Sequence, residues 1–139
     1  MRVTPPDLVL WLTGYVRDLA AIEGVDADIS NKEPPELALP MDRPLIILRD
    51  DSGNRTGPTT FDRSIGASVL AGSRLDDQPA SDLARWLAGV LFDMDLPLVD
   101  GTPIASVEPE GCNGPYSVKE EMDVTRCYLT AQYVVTGSW

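Results

Sequence analysis

The sequence predicts a single α/β (α+β) domain, in which a mixed, mostly antiparallel β-sheet carries two main helices packed on one face. Three observations predict it. Apolar residues recur at helical spacing in two stretches only, one near the N-terminus and one in the middle of the chain. Around them stand short apolar or alternating runs of strand length, so the elements read α-β-β-β-α-β-β. The length of 139 residues suits one ordinary domain. Surface scaling leaves roughly 7,000 of ~22,000 Å² exposed, so the core needs no metal or disulfide. No internal repeat appears, and residues 1–139 are taken as one unit.

The first helix is expected to open with Thr4 as cap and Pro5 at its first position, with Asp7 complementing the positive end of the dipole. Leu8, Leu12, Tyr15 and Leu19 form its apolar stripe, widened by Trp11 and Val16. Gly24 is the natural stop. Val25–Ser30 is a short extended piece, and the Pro-rich Asn31–Glu36 stretch is a surface connection. Pro44–Arg49 is nearly all apolar, as a strand buried on both faces would be. Asp50–Pro58 is a turn-rich loop, long for a simple hairpin.

Phe61–Ala71 alternates as a strand, with Gly66 marking a weak point or a bulge. Asp76 or Asp77 caps the second helix, Pro79 lies in its first turn, and Trp86 sits at the margin of an apolar face running from Ala80 to Leu91. It ends near Asp93. Pro103–Glu108 is a modest strand, followed by an irregular segment rich in Gly, Pro and acid. In the final strand, Val124–Thr136, the residues Thr125, Cys127, Leu129, Ala131, Tyr133 and Val135 share one side.

Charge narrows the function. Eleven Lys and Arg stand against 22 Asp and Glu, a net charge of −11. Five to ten phosphate contacts would consume nearly every cation, which disfavours a dedicated nucleic-acid binder. An anionic membrane is disfavoured for the same reason. No apolar run of about 18 residues and no leader pattern is visible, so a soluble chain, intracellular when made, is expected. Histidine is absent altogether. That removes histidine-based triads, zinc sites and pH switches.

Cys112 and Cys127 are half of a four-thiolate site; free thiols are favoured over a cross-strand disulfide in a cytosolic protein. Asp93, Asp95 and Asp100 could hold Mg²⁺ or Ca²⁺ through oxygen ligands, but without the spacing of a calcium loop they read better as a solvated loop. Glu120, Glu121 and Asp123 read as a charged loop or a protected edge. Arg43, Arg49, Arg55, Arg63 and Arg74 interleave with Asp42, Asp50, Asp51, Asp62 and Asp76, a pattern of salt bridges within the subunit or across an interface. From the residues alone the chain is a small non-catalytic domain, with no cofactor expected.

The order of elements, with several stretches, resembles the tail terminator (tail completion) proteins of long-tailed siphophages. The residues that carry it are Pro5–Leu12 in the first helix, the strand ending in Leu48-Arg49 before its long loop, Phe61–Ala71, and the closing Arg126–Gly137. The resemblance implies a homo-hexameric ring in the virion neck, assembled in the bacterial host cytoplasm. The ring would cap the tail tube, end its polymerisation and offer a surface to the head-completion or connector protein, catalysing nothing. DNA would pass through an acidic lumen without specific binding.

On this reading Arg49, Asp50, Asp51 and Arg55 contact a neighbouring subunit or the tube protein, since arginine forks suit such interfaces. Alternatives are another neck component such as a head-completion (stopper) protein, a small carboxylate- and Mg²⁺-dependent enzyme using Asp93, Asp95 and Asp100, and a monomeric adaptor.

Overall fold

Asp7, not Thr4, opens the first helix. In the computed structural model, which describes all 139 residues, the Asp7 carboxylate accepts the Leu10 amide at 3.1 Å and helix α1 runs Leu8–Glu23. Thr4 pairs instead with Ser138, exchanging two backbone hydrogen bonds of 2.8 and 2.9 Å that tie the chain ends together. Gly24 closes the helix in the left-handed conformation, at φ 69°.

The buried side of α1 is Leu8, Val9, Leu12, Thr13, Val16 and Ala20, rotated from the predicted stripe. Thr13 is tolerated there because its hydroxyl donates to the Val9 carbonyl at 2.7 Å. Trp11, Tyr15 and Leu19 are left at the margin, half-buried.

The sheet consists of β1 (Asp28–Ser30), β2 (Leu45–Asp50), β3 (Thr60–Ala71), β4 (Ile104–Val107), β5 (Asn113–Val118) and β6 (Thr125–Thr136). Its order is β1-β2-β3-β6-β4, with β5 also pairing β6, so β4 and β5 share one edge of β6. Only β1–β2 is parallel, and every other pairing is antiparallel. Helix α2 spans Gln78–Leu91, with Pro79 in its first turn. Both helices cover one face, as predicted, where Ile46, Leu48, Ile65, Ala67, Val69, Leu129 and Ala131 meet Leu12, Val16, Leu87 and Leu91 in one core. Buried Tyr133 donates to the Leu91 carbonyl at 2.5 Å, fastening β6 to the end of α2.

Strand β2 is buried on both faces, as its composition requires. Ile46 and Leu48 enter the main core, whereas Leu45 and Ile47 join Leu70 and Val124 in a small second cluster. Leu37 and Met41, which follow the Pro-rich connection, pack on that cluster, so the segment leading into β2 also covers one end of the other sheet face.

Three further expectations need correction. The residues after β2 are the outer half of a hairpin, not a free loop. Asp51 donates to Ser64, Ser64 to Ser52 and Asp62 to Asn54, with Arg55 bridged to Phe61 before the turn. Two residues, Asp51 and Ser52, there oppose the single Ser64, a bulge that bends the strand.

Gly66 is not a bulge, because β3 keeps unbroken register with both β2 and β6 across it. The segment read as irregular contains β5, paired to β6 with a register shift between Asn113 and Tyr116. Gly114 and Pro115 conceal it in the sequence. Gly114 adopts φ 98°, and no apolar alternation survives in this largely exposed edge.

Candidate interaction surface

Strand alternation sends Arg49 of β2, Gly66 of β3 and Tyr128 of β6 to the sheet face without helices. Asp51 reaches the same place from the bulge after β2. The Arg49 guanidinium donates from Nε to Asp51 at 2.8 Å and from Nη2 to the Tyr128 hydroxyl at 2.6 Å. That hydroxyl donates to the second Asp51 oxygen at 3.0 Å. The guanidinium also lies 5.1 Å from the centre of the Tyr128 ring. Tyr116 of β5 meets the same ring edge-on at 6.1 Å.

Gly66 supplies the floor. A Cβ at this position would collide with both the Tyr128 hydroxyl and an Asp51 carboxylate oxygen. The cluster therefore needs a residue with no side chain in the middle of a central strand.

Local electrostatics follow from these contacts. The hydrogen bond to Asp51 raises the Arg49 pKa against the opposing effect of burial. Burial raises that of Tyr128, reinforced by its bond to Asp51, so the phenol stays neutral and keeps its proton to donate. At the start of β6, Arg126 bridges Glu33 at 2.7 Å and Glu120 at 2.8 Å. Burial disfavours the Arg126 charge, but the two carboxylates outweigh it and raise its pKa. Glu120 is thus a paired, mostly covered group and not part of a solvated acidic loop. Between the two arginine clusters and the far end of β6, Ser64, Thr130 and Gln132 continue the face as half-buried polar positions.

Of the four residues expected at an interface, the fold unites Arg49 and Asp51. Asp50 lies on the opposite side of β2, where it accepts the Ser52 amide and stands 3.8 Å from Arg63. Arg55 caps the hairpin turn, donating to the Gly57 and Pro58 carbonyls and lying over the Phe61 ring. The interleaved charges form pairs within the chain at Arg43 (with Asp26 and Asp28), Arg49 and Arg63. Arg74 bonds the Asp123 side chain through its backbone amide.

Asp93 accepts the Asp95 amide at 2.9 Å, and no three His, Cys, Asp or Glu groups converge to hold a metal ion. Cys112 and Cys127 are free thiols, and burial pushes the Cys127 thiol pKa up.

Tyr128, Tyr116 and Gly66 are the members that sequence reasoning missed. Their only sequence signal was a tyrosine on the outward side of the final strand and a glycine inside its neighbour. Register alone puts them together. No family model matches the sequence, and no curated protein matches it, so function is read from this face and its surroundings.

Proposed function

We propose that this chain is a ring-forming structural protein of a long-tailed phage, a tail terminator whose homo-hexamer caps the tail tube and receives the head-side connector. The observation that carries the reading is the helix-free face of the sheet. It is broad and polar, and it is organised around an arginine held by an aspartate and a tyrosine. Arg and Tyr are enriched where protein surfaces meet, and a preordered guanidinium loses less side-chain freedom on contact. The folded chain exposes 7762 Å², about a tenth more than the roughly 7,000 Å² expected for a monomer of this mass.

Native mass spectrometry, alone and with tail tubes, tests the reading. A species of six times the 15.1 kDa chain mass is expected. Charge reversal at Arg49 and Arg55 together also removes their bonds to Asp51, Tyr128 and the hairpin turn, so the expected result is loss of that species from a variant whose circular dichroism spectrum still matches the parent's. Normal rings from the double variant would remove these residues from the interface. Absence of any closed oligomer in both conditions would end the ring reading.

A further inference from the structure

On the opposite, helix-bearing side, two depressions follow one another along α1. The first, of about 410 Å³, lies between Leu10–Asp18 of α1 and Val99-Asp100. The second, of about 360 Å³, lies between Leu19 and Glu23 of α1 and the C-terminal half of α2. Leu10, Trp11, Tyr15 and Val99 give the first its apolar wall, and Leu19, Trp86 and Val90 the second. Trp11 and Tyr15 stack at 5.1 Å with rings within 8° of parallel, while Leu10 beside them remains 64% exposed.

A glycine occupies each depression, in a repeated pattern: Trp11-Leu12-Thr13-Gly14 in α1 and Trp86-Leu87-Ala88-Gly89 in α2. Neither glycine has a positive φ, and a Cβ on either would meet nothing within 4 Å. The fold itself gives no packing reason for two helix-weakening residues at these places. Close approach of another backbone would give one.

Charge selects the occupant. Asp18 and Asp100 rim the first depression, and Glu23 and Asp93 the second. The one cation lining them, Arg85, is paired with Asp82. No strand residue lines either depression, so an extended peptide there would find no ladder to join, whereas a helix brings its backbone bonds already satisfied. A second copy of the chain supplies no suitable element. The single cation of α1, Arg17, is bound to the Ile29 carbonyl, and the single cation of α2 is Arg85. Two like acidic rims would also repel.

We infer that the two depressions along α1 form a docking site for a basic amphipathic helix of a different protein, lying along α1 over Gly14 and towards Gly89. The inference stands apart from the ring reading, because it uses the other side of the molecule.

The probe is a designed helical peptide of about 16 residues, the length of α1, with Leu at i, i+3, i+4 and i+7 and Lys elsewhere. Its control carries Glu in place of Lys. Amide shifts of the full chain should map binding of the Lys peptide to α1, the second half of α2 and residues 98–100. Gly14→Leu, which has open space and better helix propensity, should weaken that binding by about tenfold or more. The variant should still melt no lower than the parent. Asp18→Asn with Asp100→Asn should weaken it while leaving Glu-peptide binding as weak as before. The site is overturned by equal binding of both peptides, by shifts centred on the sheet face, or by Gly14→Leu binding as the parent does. Self-association of the chain that Gly14→Leu abolishes would assign the groove to a second copy and overturn the proposed partner.

Discussion

Gly66 shows how much one position decides. Its missing side chain lets Tyr128 and Asp51 close over the strand around Arg49. Gly66→Ala forces those two side-chain tips apart, and because both are ends of flexible side chains the expected loss in urea unfolding is only that of their hydrogen bonds, about 1 kcal/mol. Unchanged stability would mean the cluster relaxes freely. Glu120 gives a second prediction at this scale. The hydrogen bond from Arg126 holds its carboxyl below the ordinary value of 4.5, against the opposing effect of burial. A lowered native pKa means the pair stabilises fully above pH 4.5 and ceases to do so as pH falls through the lower native value. Glu120→Gln is therefore expected to flatten the acid limb of a melting-temperature profile below that pH, and identical limbs would refute the assignment. Both tests concern residues whose type was plain in the sequence. Their partners, Tyr128 and Asp51 for Gly66 and Arg126 for Glu120, were not.

At the level of elements, the two helices were legible because each buries one continuous stripe, and a 3.6-residue period survives any tertiary context. The phase of α1 was less legible. Trp11 and Tyr15 look like core residues by type but line the groove, while Thr13 looks polar and is buried. Gly14 and Gly89 are helix-interior glycines with open space above them. Replacing either by Ala should raise the stability of the free chain by about 0.5–1 kcal/mol, read from the urea midpoint. A loss at either site would reveal a packing role in the isolated chain. The β2–β3 hairpin and β5 were the least legible elements. In both, turn-type residues such as Ser52-Gly53-Asn54 and Gly114-Pro115 lie inside paired segments, held by backbone bonds to a neighbour remote in sequence or beyond a bulge.

Across the whole molecule, charge is distributed unevenly between paired and free groups. Seven carboxylates and five arginines take part in ion pairs. The remaining fifteen of 22 acids outnumber the six remaining cations, so the surplus negative charge sits on the surface. Duplex DNA at ~150 mM salt should consequently show no submicromolar affinity in a fluorescence-anisotropy titration, and tight binding would contradict an acidic surface that repels phosphate. The exclusion of histidine chemistry, the two helices, the doubly buried β2 and the alternation of β6 followed from the sequence alone, because composition and local periodicity are properties of neighbouring residues. Which arginine meets which carboxylate, why Gly66 is glycine, and which aromatic residues escape the core were settled only by the tertiary structure. Those contacts depend on strand register and helix phase, which arise from packing between segments far apart along the chain.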